Sequence, residues 1–258
     1  MPGLILQWQQ FILVTTRVGC VLFFLPIWDS RLIPVQIRVY SILVISLALT
    51  PVVAGSLPPF PETWLTAVGL VLRELLLGLS LGLVVSFVFS GIQMAGDLTG
   101  IQMGFGMVNL INPVSGVRTT VMGDILLLAA TVLFLAADGH HLFLAVLAQS
   151  FGEVPVGGPP LMPGSLFSIL IPMSNLMFQL AIKLVAPIIL VLFLTQIGMG
   201  LVARTVPQVQ VMIIAFPLTI ALGLIFLSLT LTLMGPYLVG QFSWFRGPMI
   251  QVLRAWHG

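Results

Sequence analysis

The chain has 258 residues, 59% hydrophobic and only 6% charged, where an ordinary soluble domain carries roughly a quarter of charged residues; this excludes a water-soluble fold with a polar surface. A formal net charge of +2, from 9 Lys and Arg scattered along the chain, excludes the clustered basic surface that nucleic-acid binding needs. The single cysteine, Cys20, excludes an intrachain disulfide and a Cys-based zinc site, and reads as a small buried apolar residue.

Six apolar segments follow one another at about 10–28, 39–54, 64–90, 121–147, 170–203 and 208–240, each near the ~20 residues that cross a bilayer. They predict an all-α, polytopic membrane protein built from kinked helical hairpins, in one domain over 1–258. The first segment is preceded by no Lys or Arg within residues 1–16, so the basic opening of a secretory signal is missing and the segment is expected to stay in the mature protein. Turn formers separate the others, among them Pro58-Pro59, Pro61, Gly157-Gly158-Pro159-Pro160 and Pro163-Gly164. Pro26, Pro172, Pro187 and Pro217 fall inside or beside apolar runs and predict kinks.

Arg31, Arg38, Arg118 and Arg204 follow the odd-numbered segments, whereas the alternate loops at 55–63 and 148–169 carry Glu62 and Glu153 and no Lys or Arg. By the positive-inside rule this puts the N-terminus outside the cytoplasm. Six crossings would return the tail to the same side, yet it carries Arg246 and Arg254. Either one segment does not cross, or the protein is not a simple bilayer bundle.

Ionisable groups within apolar helices cost at least ~2.5 kcal/mol each when they face lipid. Here they are Arg17, Arg73, Glu74, Asp97, Asp124, Asp138 and Lys183. No two acids share a relay spacing on one helix face, so these groups are expected to be buried, paired with one another or with partner subunits. Gln102, Arg204 and Gln208 join them as expected buried polar groups. Arg73 and Glu74 are adjacent and are expected to seek different partners.

Small residues mark the packing faces. Gly78 and Gly82 continue the four-residue spacing from Glu74, and Gly96, Gly100 and Gly104 repeat it, so on a helix each set forms a face that another helix can approach closely. The second set runs into Phe105, Gly106, Met107, Val108, Asn109 and Leu110 and ends at Asn112-Pro113. An acid, an amide, a glycine face and an apolar glycine-bearing loop at membrane depth point to a pore-lining or gating element.

Catalysis has no support. Ser and Thr lack a matched His and acid, and no phosphate-cradling glycine loop with Lys-Ser or Lys-Thr occurs. Asp138-Gly139-His140-His141 lacks the His-Glu-x-x-His spacing, adjacent histidines diverge on a helix, and a helix-end or interfacial role is expected rather than a metal site. No cofactor is expected. Two further readings stay open: an ion or small-molecule transporter using Glu74, Asp97 and Asp124, and a purely structural subunit held by its glycine faces.

Taken in order, these residues resemble the FliR/SctT family of type III secretion export-gate subunits. The resemblance rests on Arg17, Pro26, Pro34 and Arg38; Glu74, Gly78 and Gly82; Gly96 to Pro113 with its Gly100-Ile101-Gln102-Met103-Gly104 core; Gly139-His140; and Pro187, Gly200, Arg204-Thr205-Val206-Pro207-Gln208, Phe216-Pro217-Leu218 and Gly223. Asn112 stands where many relatives have Asp, and Gln210 where an Asn often follows.

The resemblance implies a subunit present once in a helical assembly with FliP-type and FliQ-type subunits, with FlhB-type and FlhA-type subunits nearby. It implies a FliP-like part over about 1–165 and a FliQ-like part over about 166–258. The assembly passes unfolded exported proteins through a channel in the bacterial inner membrane, within the flagellar basal body or, alternatively, a virulence secretion system. The segment Gly104 to Pro113 is implied to contribute to the plug, with Met107 and Leu110 as its bulky apolar residues. The Gly-Ile-Gln-Met-Gly core favours the flagellar system.

Overall fold

The structure, a computed structural model, describes residues 2–25, 33–53, 63–105, 120–156, 163–205 and 211–257. All secondary structure among them is helical: α1 (Pro2–Phe23), α2 (Val35–Val53), α3 (Trp64–Gln102), α4 (Val121–Ala136), α5 (Gly139–Glu153), α6 (Pro163–Thr205), α7 (Val211–Trp244) and α8 (Arg246–His257). By length and composition four helices can cross a membrane: α2, α3, Leu170–Thr205 of α6 and Ile213–Leu233 of α7; α4 and α5 together make a fifth if the bent pair counts as one. The described apolar part of α1, Gln10–Phe23, is shorter than a crossing needs.

Two sequence expectations change. The segment predicted at 121–147 is broken, because Asp138 has φ 55°, a left-handed conformation that no α-helix continues. The Ala137 N–H closes α4 on the carbonyls of Leu133 and Leu135, and α5 starts at Gly139. The segment predicted at 64–90 runs on to Gln102, and its 39 residues make α3 about 58 Å long, nearly twice the ~30 Å hydrocarbon core. Pro51 lies inside α2, and Pro217 and Pro236 inside α7, without ending either helix.

The chain forms two compact units, and α3, α6 and α7 contribute residues to both: Met1–Phe87, Asp138–Ser174 and Phe242–Gly258 make the first, Val88–Ala137 and Asn175–Gln241 the second. In the first unit α1 buries Val14, Val18, Val21, Leu22 and Leu25, a stripe at helical spacing, together with Leu77, Leu81, Val84 and Val85 of α3 and Phe143, Val146, Leu147 and Phe151 of α5. Helix α2 packs on α1 but buries little else, and Tyr40, Val44, Leu47 and Val52 are exposed. The tail, read from sequence only as a charged end, is the amphipathic helix α8. It packs on α5 through a buried face of Met249, Val252, Leu253 and Trp256, leaving Arg246 and Arg254 exposed.

In the second unit Phe89 and Phe134 meet edge to face, with ring centroids 5.5 Å apart. The same unit also buries Ile92 and Ala95 of α3, Leu126 and Ala130 of α4, and Leu180, Leu184, Ile188 and Leu192 of α6. Long apolar faces stay uncovered, including Phe193, Leu194, Ile197 and Leu201 on α6 and Ile213, Ile225, Leu229 and Leu233 on α7. Such faces need lipid or other chains against them.

Candidate functional site

The first unit holds a buried ionic cluster where α1, α3 and α5 meet. Arg17 and Glu74 are both fully buried, and the Arg17 Nε donates to Glu74 Oε2 at 2.5 Å. Its Nη1 donates to the Ser150 carbonyl and its Nη2 to the Val154 carbonyl, each at 3.0 Å. The Phe151 ring faces the same guanidinium, 4.1 Å from its centroid. Arg73 Nη1 reaches Glu74 Oε1 at 3.2 Å and the Pro155 carbonyl at 2.9 Å, and its guanidinium stands 5.8 Å from the Trp256 ring. Adjacent Arg73 and Glu74 thus share a cluster instead of seeking separate partners, because the long arginine bends along the helix surface.

The carbonyls that complete this cluster come from the last turn of α5 and the residues after it. A helix C-terminus leaves carbonyls unpaired and carries partial negative charge, so two guanidiniums around one carboxylate are balanced there. Sequence reasoning found Arg17 and Glu74 but not the end of α5. The signal was Val154-Pro155, where a proline stops the helix and leaves the Val154 and Pro155 carbonyls to the guanidiniums, while the Ser150 carbonyl is shared with the Val154 N–H. Both Glu74 oxygens are engaged by cations, which leaves this carboxylate no open position for an ion in transit.

Gly78 and Gly82 sit beside this cluster on α3. A Cβ on Gly78 would stand 2.8 Å from Cys20 Cβ and 3.0 Å from the Arg17 carbonyl oxygen, and one on Gly82 would stand 2.6 Å from the Phe24 ring. At Gly78 it is α1, and at Gly82 the residue just past its end, that lies too close for a side chain.

In the second unit the glycine face meets α4. A Cβ on Gly96 would fall 2.6 Å from both Gly123 Cα and the Met122 carbonyl oxygen, so the two backbones touch directly. One turn on, a Cβ on Gly100 would strike Thr120 Oγ1 at 2.5 Å. Asp97, half-buried, binds the start of α4: its Oδ1 accepts from the Thr120 N–H at 2.7 Å and from Thr120 Oγ1 at 3.0 Å. Thr120 in turn caps α4 by accepting from the Gly123 N–H.

Gly104 is not the third rung of a helical ladder, as its spacing suggested. It lies beyond the end of α3 with φ +95°, and its N–H bonds to the Ile101 carbonyl while that of Phe105 bonds to Gly100. These two bonds form a Schellman stop, which needs a left-handed residue and hence glycine. Glycine is required there twice over, since a Cβ would also meet Phe216 of α7 at 2.6 Å. Met103, fully buried, fills the space that a side chain on Gly223 would take.

The described residues on either side of 106–119 are therefore fixed. Gly104 and Met103 rest on α7, and Thr120 is held by Asp97. Gly106, Met107, Leu110, Asn112 and Pro113 lie outside the described residues, as does Gln208. Phe105 is half-buried. Gln102 is half-buried and accepts from Gln196 Nε2 at 3.5 Å. Asp124, Lys183 and Arg204 were expected to be buried and are exposed. They point away from the core of their unit, so this chain does not cover them, although Lys183 Nζ stands 6.0 Å from the Tyr237 ring. Partners that sequence reasoning missed are Thr120, Gly123 and Phe216. Thr120 was legible as a capping residue before an apolar run, while Phe216 carried no signal beyond its place in the late motif.

Comparison with known proteins gives a consistent picture. The family model for bacterial export proteins, family 1, matches residues 8–244. The chain is 29% identical over 228 residues to the flagellar biosynthetic protein FliR of Escherichia coli (strain K12), covering 88% of this chain and 86% of that protein. It is 31% identical over 229 residues to the flagellar biosynthetic protein FliR of Bacillus subtilis (strain 168), covering 88% of each. Against the protein of that name in Caulobacter vibrioides it is 29% identical over 221 residues, with 85% of this chain and 87% of the relative covered.

Proposed function

From the premise that the chain belongs to the bacterial export proteins, family 1, we propose that it is a core subunit of the flagellar type III export gate, one that lines the channel and contributes its plug. It acts in the bacterial inner membrane, in the flagellar basal body. One copy joins several FliP-type and FliQ-type subunits, next to FlhB-type and FlhA-type subunits, with a FliP-like part over about 1–165 and a FliQ-like part over about 166–258. The cargo is unfolded protein, and the chain itself carries out no reaction and uses no cofactor.

The observation that supports the plug most is the treatment of residues 103–105 and 120. The sequence Gly106 to Pro113 departs from a helix stopped by a Schellman glycine and braced on α7, and the chain re-enters α4 at a threonine clasped by Asp97. A channel wide enough for an unfolded chain leaks ions unless an apolar constriction excludes water. Anchored ends let an apolar segment between them yield to cargo and return to one place. The uncovered apolar faces of α2, α6 and α7 support assembly with other subunits. Transport of ions by this chain alone is disfavoured, because Glu74 and Asp97 are both committed to structural hydrogen bonds.

Replacing Met107 and Leu110 together with glycine is expected to raise ion leakage through the whole gate. The check is membrane conductance, or growth inhibition by added salt, in cells expressing all gate subunits. Conductance equal to that of the unaltered gate would remove these two residues from the plug.

A further inference from the structure

We propose that Asp138, His140 and His141 form a binding site for a zinc-class divalent cation. The proposal is independent of the export reading. One donor atom from each of the three lies within 4.8 Å of the others. His141 Nδ1 and Asp138 Oδ1 are 3.2 Å apart, close to the ~3.3 Å between ligands in a tetrahedron with bonds of about 2.0–2.1 Å.

Adjacent histidines diverge within a regular helix, but here the two rings lie with centroids 4.1 Å apart at 36°. They occupy the first turn of α5, directly after the left-handed Asp138. Asp138 stands at the N-cap position without using its side chain as a cap; its Oδ1 instead meets His141 Nδ1, a contact that an ion shared by the two would replace. Nδ1 of His140 is enclosed and has no hydrogen-bond partner among the described residues, a cost that a metal bond to that same nitrogen would offset. Asp138 and His141 are 74% and 71% exposed, so an ion has open access. Two imidazoles and one carboxylate suit zinc and similar borderline cations, and leave a fourth position for water or for a group from another subunit.

The test is calorimetric titration of zinc chloride into the full chain, purified in mild detergent through a tag without histidine. Asp138→Gly removes one ligand and places glycine where φ is positive, so loss of binding there is not a folding failure. His141→Ala removes a second, exposed ligand. The unaltered chain is expected to bind one zinc ion, with affinity reduced about tenfold or more in each variant. Cobalt added in place of zinc should give the visible absorption of a four-coordinate site. Absence of saturable binding, or equal affinity in all three chains, overturns the assignment, the latter placing the ion elsewhere, for example at His257.

Discussion

Glu74→Leu is expected to destabilise the first unit by about 3–5 kcal/mol, the cost of leaving a buried charge without its partner. The fully buried Arg17 would keep its carbonyl acceptors on Ser150 and Val154 but lose its counter-charge, and the nearly buried Arg73 would lose its nearest anion. Desolvation of two cations at the end of α5 would then be opposed only by the partial charge of that helix terminus. The expected readouts are a lower melting temperature in detergent, reduced accumulation in the membrane and loss of swimming. Arg17→Met combined with Glu74→Leu should be less destabilising than Glu74→Leu alone, because it removes the stranded cation as well as the anion. A double variant worse than the sum of both single changes would show that the cluster acts through something other than charge pairing.

Gly96→Leu is expected to have the second large effect. At most glycines in helix contacts a flexible side chain can move aside, but here the atoms a Cβ would meet are Gly123 Cα, the Met122 carbonyl oxygen and Gly123 N, at 2.6, 2.6 and 2.9 Å. Backbone cannot yield without separating α3 from α4. The separation would also pull Thr120 from Asp97, and with it the entry to α4 that closes the proposed gating segment. Overpacking of this kind costs at least about 1–3 kcal/mol. Gly69→Ala is the control. Nothing lies within 4 Å of a Cβ there, so the change should be neutral or slightly stabilising through helix propensity. Swimming halos and melting temperatures of the two variants separate the readings. Equal behaviour would mean that the close approach at Gly96 carries no weight in the cell.

Much of the helical framework was legible in the sequence, because membrane helices announce themselves by apolar length. The segments at 39–54, 170–203 and 208–240 correspond to α2, α6 and α7, with ends shifted by a few residues to a turn or two. The misses have physical causes. Hydropathy averages over a window and cannot register a single left-handed residue, so the apolar segment at 121–147 runs through Asp138, and only the helix-end reading of Asp138-Gly139-His140-His141 points to the break. Helix α8 was missed because its apolar residues are spaced for a face rather than run together, and apolar length was the signal being read.

The glycine spacing points to close packing, and at Gly78, Gly82, Gly96 and Gly100 an added Cβ would stand 2.8, 2.6, 2.6 and 2.5 Å from its nearest neighbour. At Gly104 the same four-residue interval marks a helix stop that also lies against Phe216 of α7. Spacing cannot distinguish a rung from a cap, whereas the sign of φ does. That Arg17 and Glu74 are paired follows from the cost of burying either alone, but which partner each takes does not, and the third element of that cluster, the C-terminus of α5, consists of backbone carbonyls that no residue code displays.

In the function proposed, this chain works as one member of a hetero-oligomeric gate. Native mass spectrometry of the tagged chain, co-expressed with the FliP-type and FliQ-type subunits of its own system and purified in mild detergent, tests it most directly. The expected result is a complex containing one copy of this chain and several copies of each partner type. A lone monomer or a homo-oligomer, recovered while both partners are expressed, would contradict it.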